Sequence, residues 1–259
     1  NVLGDIVNSN PFYVGKPAGG YDFGDYSKFV EDYKSRIPMI YIGANDGMLH
    51  GFNADTGAEI FAYVPSKVFS DPNSNLNTLT ELTYKNPKHQ FYVDGAPTAV
   101  DVQFSDQAWH TVLVGGLRSG GKSYFALDVT DPNSVTEDNA KTNVLWEFTD
   151  DNDHDLGLSF TQPSLVRIGD SDATADNNPW VVIFGNGYNS SNIAKAPVTD
   201  PVTPATTAVL FVLNVETGAV IKKFDLREGQ GLSTPSVVDG DGDGIADFIY
   251  AGDMDGNLW

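Results

Sequence analysis

One template recurs four times along the 259 residues, and the length of its period restricts the fold more than any other feature. Ile40-Tyr-Ile-Gly-Ala-Asn-Asp-Gly-Met-Leu-His50, Val112-Leu-Val-Gly-Gly116, Val182-Ile-Phe-Gly-Asn-Gly187 and Ile249-Tyr-Ala-Gly-Asp-Met-Asp-Gly-Asn-Leu-Trp259 each run from apolar, β-rich residues into glycine. The template glycines Gly43, Gly115, Gly185 and Gly252 stand 72, 70 and 67 residues apart. That is longer than the roughly 40 to 50 residues of the simplest propeller repeats, so each unit carries extra loop. Other pieces recur in phase. A strand enters through Asn10-Pro11, Ala96-Pro97, Gln162-Pro163 and Thr234-Pro235 ahead of each apolar run. After the glycine come Gly51 to Gly57 (GFNADTG), Phe125 to Asp131 (FALDVTD) and Phe211 to Gly218 (FVLNVETG), then EIFAYV, VLWEF and VIKKFDL.

Four short antiparallel strands per unit, with Asp/Asn-x-x-Thr-Gly turns between the third and fourth, describe an all-β fold, the β-propeller with four-stranded blades. A β-sandwich would have similar strands but not the period. Tyr26, Phe29, Val30 and Tyr33 fall at i, i+3, i+4 and i+7, which predicts one short inserted helix over Tyr26 to Ile37, with Asp25 as cap and Pro38 as stop. Loops are expected over Ser66 to Gln90, Gly169 to Pro179 and Asn189 to Thr206. The fourth template stops at Trp259, where the first continues to Val64. The expectation is therefore a single partial propeller domain over residues 1–259, about three and a half blades cut from a longer protein, consistent with a first residue that is Asn1 and not Met.

Gly116-Leu-Arg-Ser-Gly-Gly-Lys-Ser123 satisfies the phosphate-loop pattern G-x-x-x-x-G-K-[ST]. A phosphate loop works between a strand and a helix whose N-terminus supplies the N–H groups. Here Tyr124 to Thr130 is aromatic and β-branched and is closed by Asp131-Pro132, so the pattern predicts a second strand, a hairpin and no nucleotide.

Composition narrows the partners. Fifteen Lys plus Arg face 35 Asp plus Glu, a net charge of −20 that disfavours nucleic acid and anionic lipid and favours cations. The absence of cysteine removes thiolate catalysis, disulfides and Cys-based zinc sites. No stretch approaches the roughly 18 to 20 apolar residues of a membrane span. No G-x-S-x-G nucleophile elbow occurs.

The strongest site signal is Asp239-Gly-Asp-Gly-Asp-Gly-Ile-Ala-Asp247. Carboxylates at relative positions 1, 3, 5 and 9, glycine at 6 (Gly244) and a main-chain carbonyl at 7 (Ile245) follow the order of a calcium loop, and all-oxygen donors suit Ca²⁺. Position 12 is Tyr250 and not the bidentate Glu of an EF-hand, and the flanks read as strands, so the loop is expected between two blade strands. The metal ligands predicted are Asp239, Asp241, Asp243, the Ile245 carbonyl and Asp247. Two further acidic runs, Asp150 to Asp155 and Asp170 to Asp176, lack that order and read as solvated loops. His50, His89, His110 and His154 show no ligand spacing and read as surface or strand-end residues.

Taken together, LGDIVNSNPFYVG from Leu3, YIGANDGMLHGFNADTGAEIFAYVPS from Tyr41, YVDGAPTAVD from Tyr92, VLVGGLRSGGKSYFALDVTDP from Val112, VIFGNGYNS from Val182 and GLSTPSVVDGDGDGIADFIYAGDMDGNLW to Trp259 resemble the C-terminal β-propeller of the PilY-type (PilC-type) type IV pilus tip proteins. The resemblance implies a non-enzymatic role in pilus biogenesis, adhesion and twitching motility. It places the protein at the bacterial cell surface or fimbrium, outer membrane or extracellular, with minor pilins and a host surface as partners. It also implies that occupancy of the calcium loop opposes pilus retraction. The alternatives are a quinoprotein dehydrogenase propeller, which would hold pyrroloquinoline quinone under a vicinal cysteine pair that this chain lacks, and a generic calcium-stabilised extracellular binding propeller.

Calorimetric titration with ATP and Mg²⁺ is expected to give no saturable heat. A signal abolished by Lys122→Ala would contradict the hairpin reading.

Overall fold

The apolar runs of the first three units become strands buried on both faces, each with a partly exposed strand outside it, whereas that of the fourth becomes a largely exposed strand. The structure, a computed structural model, describes residues 3–69, 79–86, 88–169, 179–190 and 207–259. The first blade comprises β1 (Phe12–Val14), β2 (Met39–Gly43), β3 (Leu49–Asn53) and β4 (Glu59–Tyr63). The second has β5 (Thr98–Gln103), β6 (Trp109–Gly116), β7 (Ser123–Asp128) and β8 (Val144–Thr149), and the third β9 (Ser164–Ile168), β10 (Trp180–Gly185), β11 (Val209–Asn214) and β12 (Val220–Asp225). Within each blade the strands pair antiparallel in chain order. A partial fourth unit follows with β13 (Ser236–Val238), β14 (Ile245–Ala246) and β15 (Phe248–Tyr250). Only β13 and β15 pair with each other. β14 adds in parallel to β9, with Ile245 opposite Arg167 and Ala246 opposite Ile168, and so joins the third blade's sheet. The propeller expected from the period is present, with its sheets in an open series.

Why a blade buries both faces follows from the period of two along a strand. In β10, Val182 and Phe184 pack with the second blade, against Val112, Val114 and Tyr124, while Val181 and Ile183 pack toward the fourth unit with Ile249 and Trp259. In β6 and β7, Leu113, Phe125 and Leu127 turn to the first blade and meet Met39, Tyr41 and Leu49. A blade is thus a shared wall, which is why Val112 to Val114 of β6 and Trp180 to Phe184 of β10 read as unbroken apolar stretches and not as alternating ones. The third and fourth strands carry a register shift in every blade, at Gly51/Phe52, Ala126/Leu127 and Val212/Leu213. Such bulges increase twist and swing the outer strand away from the buried pair.

Two of the expected turns form on one plan. Asn53 Oδ1 accepts from the N–H of Asp55 (2.9 Å) and Thr56 (3.0 Å), and Asn214 Oδ1 accepts from Glu216 and Thr217 (both 2.9 Å). The second blade departs from it: Asp128 Oδ1 takes the Thr130 N–H, and the chain continues through a second helix, α2 (Ala140–Asn143), that the sequence pattern did not predict. The expected helix is α1, and it is shorter than expected, Tyr26–Asp32. Asp25 sits in the left-handed region with no side-chain cap, and its carbonyl accepts from Lys28 and Phe29 instead. The helix stops before Ile37 because Arg36 is drawn out of it, its guanidinium donating to Gly15 O, Thr111 Oγ1 and Thr130 O. Tyr26 pins α1 from the other side, donating its hydroxyl to buried Asp101 at 2.5 Å.

The phosphate-loop look-alike is a hairpin. β6 leads through a single 3₁₀ turn, Arg118–Gly120, into β7, so the helix that phosphate binding requires is replaced by a strand. Gly120 has a packing reason to be glycine: a Cβ there would lie 1.8 Å from the Tyr92 carbonyl oxygen.

Polar latches join the walls. Asn186, directly after template glycine Gly185, is 1% exposed. Its Oδ1 accepts from Val209 N (3.1 Å) and Leu232 N (3.0 Å), and its Nδ2 donates to Asp155 O (3.2 Å) and Thr207 O (2.9 Å). One amide therefore holds the ends of β10 and β11 to the chain arriving from the second blade and the chain leaving for the fourth. Gly185 itself lets that departing chain cross closely, since a Cβ would meet Leu232 O at 2.6 Å.

Of the surface or strand-end positions expected for the histidines, His50 takes the second, beside the first residue of its strand, and it is buried there. It lies in β3 with its side chain 4% exposed, Nδ1 2.6 Å from Glu59 and Nε2 3.1 Å from Asp46. Burial pushes its pKa down, but hydrogen bonds to Asp46 and Glu59 outweigh that and the net shift is upward. His89 and His110 are likewise paired, with Asp5 and Asp128.

Asn186→Ala is expected to cost about 2–4 kcal/mol, because it strands several buried main-chain groups at once; urea unfolding of the two proteins checks this. A group whose folded pKa is raised contributes stability that is fully present below its unfolded pKa of about 6.5 and is lost as pH rises through the folded value. Wild type should therefore lose stability relative to His50→Gln when unfolding is repeated from pH 5.5 up to pH 9.

Candidate metal centre

Between β13 and β15 the chain has nine residues in which every second position from Asp239 to Asp243 is aspartate, and glycines fill the gaps. The small residues let the carboxylates fold back on the loop's own N–H groups. Asp239 accepts from Gly242 N (2.7 Å) and Gly244 N (2.8 Å), Asp241 from Asp243 N (3.3 Å), Asp243 from Ile245 N (2.8 Å) and Asp247 from Gly240 N (2.7 Å). The N–H of Gly244, and then that of Gly242, hold the Asp239 carboxyl below the usual carboxylate range. Gly242 and Gly244 both adopt positive φ, 83° and 82°.

One carboxylate oxygen each from Asp239, Asp241 and Asp247 lie within 4.8 Å of one another. Asp243 is outside that group, with its Oδ1 on the Ile245 N–H. Ile245 is held by the β14–β9 pairing. The donor set is all oxygen, exposed and anionic, which fits a hard cation of flexible coordination and not a metal that prefers imidazole or thiolate. Among the described residues no other group of three or more acidic, His or Cys side chains meets so closely.

The acidic run Asp150 to Asp155 is only in part the solvated loop expected of it: Asp151, Asn152 and His154 are exposed, but its carboxylates are paired. Lys67, from the 3₁₀ turn after β4, reaches Asp150 (2.9 Å) and Asp151 (2.7 Å), and Lys223 in β12 reaches Asp153 (2.7 Å) and Asp155. Ammonium groups from the first and third blades fill this loop of the second and clamp the three together. No local sequence signal announces them, since the lysines lie about 70 to 84 residues from their partners. The run from Asp170 to Asp176 lies outside the described residues.

The comparisons bear on the whole chain. The family described as PilY1 beta-propeller domain matches residues 3–259. The type IV pilus biogenesis factor PilY1 of Pseudomonas aeruginosa strain PAO1 is 44% identical over 275 residues, covering 100% of this chain and 20% of that protein. A PilY1 homolog of Xylella fastidiosa is 38% identical over 283 residues, covering 99% of this chain and 17% of its own length. The chain thus spans about a fifth of the curated relatives it matches. The crystal structure of the Pseudomonas aeruginosa PilY1 C-terminal domain superposes with a TM-score of 0.70 at 39% identity, over 95% of this chain and 44% of that one. With a family match from residue 3 to residue 259 and this identity along its full length, the chain belongs to the PilY1 β-propeller family.

Proposed function

We propose that the chain is a calcium-binding propeller of a type IV pilus biogenesis factor, non-enzymatic, working at the bacterial surface or in the fimbrium, outer membrane or extracellular, in pilus assembly, twitching motility and adhesion. Family membership supports the pilus part, since the curated relatives are type IV pilus biogenesis factors. Minor pilins and a host surface are the partners this reading implies. The observation that carries the calcium part is the meeting of Asp239, Asp241 and Asp247 on a loop whose far end is fixed to another blade.

In this reading Asp239, Asp241 and Asp247 supply carboxylate oxygens, Asp243 joins them by releasing the Ile245 N–H, and Ile245 supplies a main-chain carbonyl. A bound Ca²⁺ offsets the mutual repulsion of the four carboxylates, which is what opens the empty loop. Ordering the loop fixes β14 on β9 and with it the position of the fourth unit against the third. That is a structural use of a metal, local to one connection. A quinone-bound ion would instead take ligands from several blades, and the chain has no cysteine for the usual pair above a quinone.

Without a position-12 glutamate the loop should bind Ca²⁺ with a dissociation constant of about 10⁻⁶ to 10⁻⁴ M. At a hundredfold excess that adds about 2.7 kcal/mol to stability. Asp247→Ala, melted in chelator and in millimolar Ca²⁺, is expected to lose the calcium-dependent rise in Tm while keeping its far-ultraviolet spectrum. In cells the same change is expected to shift the balance of pilus extension and retraction. An equal calcium response in mutant and wild type would overturn the site.

A further inference from the structure

The acidic loop has a cationic neighbour that belongs to a different blade. Arg167 of β9 stands opposite Ile245 in the parallel β9–β14 register, at the end of the loop where the predicted main-chain ligand sits. Its guanidinium carbon lies 4.1 Å from the centroid of the Phe23 ring, which is presented by the segment between β1 and α1. Its Nε is buried with no hydrogen-bond partner, and among the described residues no carboxylate lies within ion-pair distance of it. Its main electrostatic partner is Asp243, the loop carboxylate outside the close group.

The arrangement is unusual for an arginine in a chain of net charge −20, where carboxylates are plentiful. Desolvation without a paired carboxylate costs free energy unless a field compensates it. Burial is the larger influence on the guanidinium, Asp243 of the loop opposes it, and Phe23 supplies the seat, because an aromatic face holds a guanidinium without neutralising it. Phe23 is itself fixed in an aromatic group with Tyr21 and Trp109, ring centroids 5.6 and 5.4 Å away. The charge is thus held near the loop and kept from collapsing onto any one of its carboxylates.

We infer that Arg167 is a fixed counter-charge that sets the affinity of the Asp239–Asp247 loop for a divalent cation. This rests on the metal reading of that loop. With no ion present, the guanidinium lowers the repulsion among the carboxylates and favours the ordered loop. When a divalent cation enters, the same positive charge opposes it. Arg167 therefore weakens binding and narrows the difference between the empty and the filled loop. Phe23 is the positioning residue for that charge.

Calcium titration calorimetry of wild type, Arg167→Gln, Arg167→Lys and Phe23→Leu, at low and at high salt, tests this. Arg167→Gln is expected to bind Ca²⁺ about threefold to tenfold more tightly, and the gain should shrink at high salt because the effect is coulombic. Arg167→Lys, which keeps the charge, should stay closer to wild type than Arg167→Gln does. Phe23→Leu leaves β9 intact and frees the charge from its seat, so it should tighten binding by a smaller factor, and it carries the test if Arg167→Gln does not fold. A purely structural arginine would give the opposite sign, because a loosened β9–β14 pairing weakens the site. Unchanged or weaker binding in Arg167→Gln, or in Phe23→Leu where that is the variant that folds, overturns the counter-charge assignment and leaves the metal reading standing. Absence of calcium binding in wild type overturns both.

Discussion

Everything in this structure depends on the inability of a single four-stranded blade to bury itself. Its middle strands present apolar side chains to both faces, so each sheet needs a neighbour on either side, and the same strand serves two interfaces through alternate residues. Phe184 and Ile183 are one peptide apart and belong to different cores. Stability is therefore a property of adjacent pairs, as in other repeat architectures. The polar latches follow the same rule. Asn186 satisfies groups from the second, third and fourth units together, and the lysines at 67 and 223 converge from two blades on the acidic loop of the one between them.

What the amino-acid sequence made legible was whatever has a local cause. Strand positions could be read because proline, apolar run and glycine recur in phase, and the Asn-x-x-Thr-Gly turns because their hydrogen bonds close within three residues. The order of the Asp239–Asp247 loop was readable for the same reason. What could not be read has causes distant along the chain. Helix α1 ends early because of partners on the second blade, α2 occupies a turn that departs from the repeat, and the Asp150–Asp155 run is filled by lysines tens of residues away. His50 looked unremarkable in sequence, yet it is buried between two carboxylates, one of them nine residues on in the neighbouring strand.

Charge is managed by opposite means in two loops of similar composition. The run near Asp153 is closed by ammonium groups at ion-pair distance, and its most buried member, Asp155, is 5% exposed. The run from Asp239 to Asp247 is exposed, satisfied by its own N–H groups, and has for a cationic neighbour among the described residues an arginine seated on a ring. The first arrangement already sets a lysine ammonium at each of its four aspartates. The second leaves its carboxylates with oxygen atoms to spare. Composition alone does not distinguish the two; the reach of side chains from adjacent blades does.

The parallel pairing of β14 with β9 has a mechanical consequence. A chain segment that leaves one unit, lies along the next and returns is a clasp, and the two units cannot part without breaking its short strand pair. The pairing of Ile245 and Ala246 with Arg167 and Ile168 is therefore part of what holds the fourth unit to the third. The clasp is only two residues long, so its strength is governed by how firmly the flanking loop holds its shape, and a stiffer loop makes a joint that gives way later under tension.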